Sequence, residues 1–270
     1  MTTRIAITGV TGRMGSALIR TVRDDPRFKL VGGTERKGHA AVGLDVGLAA
    51  HLGALEAPVV DELKELLNGC DVVIDFTSPE ASVEHARACA EAKVALVVGS
   101  TGFTAEAKAE IAKAAQKIPV VMSPNMSVGV NLMIEVAAEL ARRLGDGFEI
   151  DILEAHHRLK NDSPSGTALR LAEEIARAVG RTPEDFRQSR VGVVGERPRK
   201  EIGIQALRGG DVVGEHTVYF FGDGERIELT HRASSRDQFA RGAVRAAIWA
   251  VGRPPGLYGM GDVLRREAKP

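Results

Sequence analysis

The chain has little cysteine. Among its 270 residues only Cys70 and Cys89 are cysteines, and neither sits in a CxxC or another metal-ligand spacing. That argues against a disulfide framework and a cysteine-built metal site. It fits two small apolar residues in a reducing compartment. A charge imbalance is also lacking: 36 Lys+Arg offset 36 Asp+Glu. Neither nucleic acid nor an anionic membrane is therefore expected as the main partner. Long apolar runs are missing too. The opening MTTRIAITGVTGRMG carries only "IAI" before a glycine turn, too short for a secretory signal. No run approaches the roughly 20 residues of a membrane span. The expected location is the cytoplasm. There is no internal repeat and no low-complexity tract. What remains is an ordinary globular balance, 44% hydrophobic and 27% charged, at a length that suits one large domain or two medium ones.

Short apolar runs alternate with helical patterns through the first 125 residues. Strands are predicted at 4–8, 28–35, 71–76, 94–99 and 118–122, and helices at 12–23 and 105–117. Ser78 is placed to cap a further helix with Pro79 at its first position. Fully apolar strands separated by helices indicate a parallel sheet covered on both faces. After Asn125 the pattern changes. Helices are predicted over 128–144, 166–179 and 236–252, and alternating strands over 201–207, 214–221 and 225–232. The latter run reads as an open mixed sheet with one wet face. The Arg- and Pro-rich stretch 181–200 reads as a long loop. The fold class is therefore α/β: a Rossmann-type dinucleotide-binding domain with a parallel sheet, followed by an α+β domain with an open mixed sheet.

"ITGVTGRMG" puts Gly9, Gly12 and Gly15 directly after the first strand, as GxxGxxG. Strand, turn and helix surround the triad as a dinucleotide loop requires. Gly9 allows a tight turn, Gly12 lets backbone N–H groups approach a pyrophosphate, and Gly15 lets the helix pack closely. Glu35 ends the second strand, where a carboxylate can accept from the ribose hydroxyls of NADH. Arg36 and Lys37 follow, and either can pair with the 2′-phosphate of NADPH. Use of both cofactors is expected. "GSTGF" and "SPNMS" follow two later strands at the same edge. There Ser100 or Thr101 could contact the nicotinamide ribose and Asn125 its carboxamide, or both turns serve ordinary turn chemistry.

"EAHHRLKNDSPSGTA", residues 154–168, concentrates His156, His157 and Lys160 beside a Pro-Ser-Gly-Thr turn. A metal needs three or four ligands at workable spacing, and adjacent strand residues point to opposite faces. There is no HExxH, and Lys160 would repel a dication. A pair of structurally satisfied histidines must also explain Lys160, Asp162 and the turn. The third reading is an anion site beside a proton donor. The helix start near Gly166 offers free N–H groups and a positive dipole end, with Ser165 and Thr167 as hydroxyl donors. A substrate with two carboxylates fits that arrangement.

"GVTGRMG", "DFTSPE", "VVGSTGF", "SPNMSVGVN", "EAHHRLKNDSPSGTA", "GEHTV" and "LTHRASSRDQFARGAVRAA" occur in the order seen in the bacterial dihydrodipicolinate reductase family, which the chain resembles over essentially its whole length. The HHRxKxDxPSGT block is highly specific to that family. The resemblance implies NAD(P)H-dependent reduction of 4-hydroxy-tetrahydrodipicolinate in lysine and diaminopimelate synthesis, with hydride transfer to ring carbon 4. It implies a cofactor site at Gly9, Val10, Thr11, Gly12, Arg13, Met14, Glu35, Arg36, Gly99, Ser100, Thr101, Ser123, Pro124, Asn125 and Met126. His156 resembles the proton donor and Lys160 the second catalytic residue, which also touches substrate. His157, Gly166 and Thr167 resemble substrate contacts. The implied domains are 1–127 with the returning helix and tail 237–270, and 128–236 as substrate-binding and tetramerising domain. A homotetramer is implied, partner subunits covering the edges of the open sheet. Ser100, Met126 and Ser163 stand where Thr, Phe and Ala are usual, and none of these changes removes a donor given a role.

Overall fold

The computed structural model describes residues 2–265; residues 266–270 of the expected tail lie outside the described residues. The chain forms two compact units. Unit 1 runs to Val128 and resumes at Arg236, and unit 2 is Gly129–Ser235. In chain order the elements are β1 (Thr3–Thr8), α1 (Arg13–Val22), β2 (Phe28–Thr34), α2 (Val46–Ala49), β3 (Val59–Val60), α3 (Lys64–Leu67), β4 (Val72–Asp75), α4 (Pro79–Ala92), β5 (Ala95–Val98), α5 (Ala105–Ala115) and β6 (Pro119–Met122). They continue with α6 (Val128–Leu144), β7 (Glu149–His156), α7 (Gly166–Ala178), β8 (Phe186–Arg187), β9 (Ile202–Arg208), β10 (Gly214–Gly222) and β11 (Glu225–Ala233). The chain then returns to unit 1 as α8 (Asp237–Ala250), β12 (Gly256–Tyr258) and α9 (Met260–Leu264).

The sheet of unit 1 has seven strands in the order β12-β6-β5-β4-β1-β2-β3, every pair parallel. Alternate residues of one strand enter different cores. Ile5, Ile7, Val72, Ile74, Val97 and Val121 pack with α1 and α8 on one face. Ala6, Val73, Leu96, Val98 and Val120 pack with α3, α4 and α5 on the other. Period-2 side chains with both faces covered explain why these strands read as unbroken apolar runs. Each fully buried Ile, Leu or Val is worth about 1.5–3 kcal/mol. Two helices on the second face are capped as their sequences suggest. Ser78 accepts from the Ala81 N–H at 3.3 Å and Thr104 from the Ala107 N–H at 3.2 Å.

Unit 2 is built on five strands in the order β11-β10-β7-β9-β8. β10 is antiparallel to both β11 and β7, whereas β9 is parallel to β7 and β8. Ile150, Ile152, Ile202, Ile204, Val218 and Phe220 point to one face and pack with α6 and α7. The other face carries Leu207, 54% exposed, and the stacked rings of Tyr219 and Phe221.

The stretch 181–200 is more ordered than the loop expected there. It holds a 3-10 turn at Pro183–Asp185 and then β8. Arg190 and Arg197 tie it to Asp151 of β7, each at 2.8 Å. Six elements of two to five residues, namely α2, β3, α3, β8, β12 and α9, were not expected. None is long enough to display a helical or strand period.

Candidate active site

In a parallel sheet all strand ends of one sense lie at one edge, so the turns after β1, β2, β5 and β6 share an edge of unit 1. The glycine turn after β1 is internally bonded. Gly9 and Val10 donate to Thr34 O at 2.8 and 3.2 Å, and Gly12 donates to Gly9 O at 3.0 Å. Thr11 donates to Glu35 Oε1 from its backbone at 2.9 Å and its hydroxyl at 2.6 Å. The amides left for an anion are those of Arg13, Met14 and Gly15, the first turn of α1, which have no intrahelical acceptor. Unlike α4, α5 and α7, α1 has no side-chain cap; its N-cap is Gly12. An uncapped N-terminus at this edge fits a pyrophosphate. A Cβ on Gly15 would lie 2.2 Å from Gly9 O, so only glycine lets the helix close onto the turn.

Glu35 is buried enough to raise its pKa, but the hydrogen bonds from Thr11 and Arg36 N–H outweigh burial and keep it ionised. With Arg36, Lys37 and His85 it lines a cavity of about 540 Å³. Behind that cavity lies a residue with no role in the sequence reading. Asp75 at the end of β4 is fully buried. Its carboxylate accepts from Thr8 and Thr77 hydroxyls at 3.0 and 2.6 Å and pairs with His85 Nδ1 at 2.9 Å. Burial pushes its pKa up, and these bonds more than reverse the shift. The His85 ring is thereby held at the cavity wall. The two later turns are less open than their sequences suggest. Ser100 is buried and accepts from the Ser82 hydroxyl at 3.0 Å, while Thr101 is exposed. A Cβ on Gly99 would strike the Phe76 ring at 2.1 Å. Asn125 Oδ1 accepts from Ser127 N–H at 2.9 Å, and Ser123 Oγ donates to Asn125 O at 2.8 Å, which is turn chemistry. Pro124 between them is exposed. Met126 is a core side chain, 1% exposed, its carbonyl where a Gly242 Cβ would be.

In unit 2 the register of β7, β9 and β10 gathers distant residues on one face. Glu154 lies opposite His216, and His156 opposite Arg208. Glu154 is fully buried and accepts four hydrogen bonds. Its Oε2 takes His156 Nδ1–H at 2.5 Å and Arg208 Nη1–H at 2.9 Å. Its Oε1 takes Ser165 N–H at 3.0 Å and Arg208 Nη2–H at 2.8 Å. Burial alone would raise the pKa of Glu154, yet the bonds from His156, Arg208 and Ser165 win and hold it at about 2. An ionised acceptor at Nδ1 fixes the tautomer and leaves Nε2 as the ring nitrogen of His156 that Glu154 does not hold. A Cβ on Gly214 would sit 3.0 Å from that Nε2, so glycine leaves room for the ring.

Arg208 also donates to Asp162 O at 2.6 Å, which holds the turn carrying Lys160. Lys160 Nζ reaches Asp162 Oδ1 at 2.8 Å. Ser165 caps α7 through Ala168 N–H at 3.2 Å and contacts His216 Nε2 at 3.1 Å. Burial, then the nearby His156, pushes the pKa of His216 down to about 3, so it is neutral. The Ser165 hydroxyl, expected as a ligand donor, is thus engaged within the protein. Gly166 is exposed and Thr167 half-buried in the first turn of α7. His157 is half-buried, and its Nδ1, with those of His216 and His231 and Nε of Arg208, is buried without a partner among the described residues. Left without any partner, such buried groups cost about 1–3 kcal/mol each, and Arg181 Nη1 and Gln205 Nε2 share the condition elsewhere in the chain. The sequence reading missed Glu154, Arg208 and His216, although "EAHH" already placed a carboxylate two residues before the first histidine.

Two family models match the chain. "Dihydrodipicolinate reductase, N-terminus" covers residues 3–126 and "Dihydrodipicolinate reductase, C-terminus" covers residues 129–264. The 4-hydroxy-tetrahydrodipicolinate reductase of Myxococcus xanthus is 62% identical over 263 residues, 97% of each chain. That of Anaeromyxobacter dehalogenans (strain 2CP-1) is 59% identical over 263 residues, again 97% of each. A dipicolinate-bound dihydrodipicolinate reductase from Paenisporosarcina sp. TG-14 superposes with a TM-score of 0.79 at 27% identity, covering 98% of this chain and 100% of its own. With both halves matched and relatives aligned almost end to end, the chain belongs to the dihydrodipicolinate reductase family.

Proposed function

We propose that this reductase converts 4-hydroxy-tetrahydrodipicolinate to tetrahydrodipicolinate in lysine and diaminopimelate synthesis, with NADH or NADPH as reductant. The observation that carries the reading is the buried Glu154–His156 pair beside the N-terminus of α7 and Lys160. The activity of the relatives and the dipicolinate bound by the Paenisporosarcina enzyme support a planar dicarboxylate as substrate class. Unit 1 is the dinucleotide domain. Its first-turn amides of α1 hold the pyrophosphate, Glu35 accepts from the adenosine ribose, and Arg36 with Lys37 meets a 2′-phosphate. Gly99–Thr101 and Ser123–Met126 flank the nicotinamide end.

Unit 2 is the substrate domain. Gly166 and Thr167 hold one carboxylate at the helix start, and Lys160 with His157 holds the other. The bound dihydronicotinamide supplies the hydride. As hydride reaches ring carbon 4 and the conjugated electrons shift toward the ring nitrogen, the neighbouring ring carbon takes the Nε2 proton of His156, whose imidazolium Glu154 stabilises beforehand. Lys160 lowers the energy of the charge developing on the ring. The 4-hydroxyl leaves as water before the hydride arrives. The face of sheet 2 bearing Tyr219 and Phe221 is the assembly surface of a homotetramer, which works in the cytoplasm.

The test is NADH oxidation followed by absorbance, with the freshly made product of the preceding aldol condensation. Turnover that falls on the order of 10²–10⁴-fold in His156→Gln supports the assignment. Bound cofactor without turnover in the parent protein points to a dinucleotide-sensing protein instead. Light scattering at working concentration reads the tetramer.

A further inference from the structure

Unit 1 holds a second cavity, of about 740 Å³, at the other end of its sheet from the dinucleotide edge. Thr21 near the end of α1 and the mutually paired Asp25 and Arg27 just before β2 form one wall. The opposite wall is α8, where Arg241, Arg245 and Ile248 fall on one face at i, i+4 and i+7. Val244, Trp249 and Val263 supply an apolar floor.

The neighbouring arginines are spoken for. Arg20 pairs with Asp237 at 3.1 Å and Arg27 with Asp25 at 2.6 Å. Arg241 and Arg245 have no hydrogen-bond or ion-pair partner among the described residues. Two like charges one turn apart repel each other, and an anion placed between them relieves that repulsion. Trp249 is fixed from outside the cavity's arginines. Arg253 lies 4.5 Å over its ring and Tyr258 packs edge-on at 4.9 Å. An aromatic and aliphatic lining beside two unpaired guanidiniums suits an ion that is charged at one end and flat and apolar at the other.

We propose that this cavity binds a small organic anion, a carboxylate or phosphate carried on a planar apolar body. The acid group sits between Arg241 and Arg245 and the body rests on Val244, Val263 and Trp249. The site is separate from both the dinucleotide and the dicarboxylate sites.

The single tryptophan of the chain makes the test direct. Trp249 emission is titrated with benzoate and with phenyl phosphate, and with acetate and inorganic phosphate as ions without an apolar body. A saturable change with benzoate or phenyl phosphate is expected, and the stronger of the two names the acid group. Acetate and inorganic phosphate should give none. Arg241→Gln and Arg245→Gln, both at exposed positions, should each weaken binding on the order of tenfold with unchanged melting temperature. Saturating NAD⁺ should leave the affinity unaltered, and calorimetry with benzoate repeats the comparison without the fluorophore. Absence of saturation with both aromatic anions overturns the proposal. Binding that survives both arginine variants, or that NAD⁺ abolishes, overturns it equally. Equal saturation by inorganic phosphate removes the apolar body from the claim and overturns it as stated.

Discussion

Replacing Glu154 with Gln keeps the side chain's shape and removes its charge. The loss is severe because two donors converge on each carboxylate oxygen: His156 and Arg208 on Oε2, Ser165 and Arg208 on Oε1. An amide has one oxygen. Whichever way it turns, its NH₂ faces two donors, and Arg208 loses its counter-ion. Breaking a buried, hydrogen-bonded ion pair costs about 3–5 kcal/mol. At roughly 2–4 °C per kcal/mol, the melting temperature should fall on the order of 10 °C. The kinetic loss is larger in proportion. His156 loses the acceptor that fixes its tautomer, and removing the orienting group of a catalytic histidine costs up to about 10⁴-fold. We expect kcat to drop at least about 10²-fold while NADH still binds as in the parent, since Glu154 and its partners His156, Ser165 and Arg208 all belong to unit 2. The assay is NADH oxidation, with the cofactor dissociation constant read by fluorescence as evidence that unit 1 is folded. A double-mutant cycle with His156→Gln isolates the coupling. Glu154→Gln should cost little more once His156 is gone. A kcat within about twofold of the parent would refute the reasoning. So would a loss in the His156→Gln background equal to that in the parent.

Lys160→Ala should lower kcat and raise the substrate KM with cofactor affinity intact; a shift in cofactor affinity alone would place Lys160 elsewhere. Arg36→Ala should weaken NADPH at least about tenfold more than NADH, which paired titrations check directly. His216 gives a pH signature. Burial holds its folded pKa at about 3, below the ordinary value of 6.5, so the unfolded chain binds a proton that the folded chain refuses. Its contribution is therefore complete above about pH 6.5 and is lost as pH falls toward 3, at up to about 1.4 kcal/mol per pH unit. By pH 5 roughly 2 kcal/mol should be gone, and denaturant titrations of His216→Gln should show a shallower decline than the parent over that window.

The apolar strands of unit 1 were legible because the centres of β1, β4 and β5 are buried on both faces, so Ile5–Ile7, Val72–Ile74 and Ala95–Val98 run without a polar residue. The amphipathic α6 was legible to the residue, at 128–144. The linkage of Glu154 was not. A glutamate on an alternating strand reads as the wet face, and the groups that make it a buried anion come from Arg208 and Ser165, brought in by strand register and loop path. Asp75 was hidden for the same reason, since its partners Thr8 and His85 lie on other elements. Ser165 illustrates the opposite error. Its hydroxyl was visible as a donor, but the sequence does not tell that His216 stands across from it. Met126 and Ser100, which family likeness set beside the cofactor, have side chains turned toward the protein's own interior.

The last strand of the unit 1 sheet carries a consequence for how the molecule is made. β12 pairs with β6 through Gly256 and Pro119, and α8 supplies Ala240, Ala243 and Ala247 to the core over β4 and β5. Between these partners the ribosome must deliver the whole of unit 2, which is continuous in the chain. During synthesis unit 2 can finish folding while the first sheet still has a bare edge and one apolar face covered by α1 alone. Unit 1 is therefore begun first and completed last. A chain interrupted before Asp237 would hold a finished unit 2 joined to a unit 1 that exposes part of its core, which makes the closing helix and strand a built-in mark of completed translation.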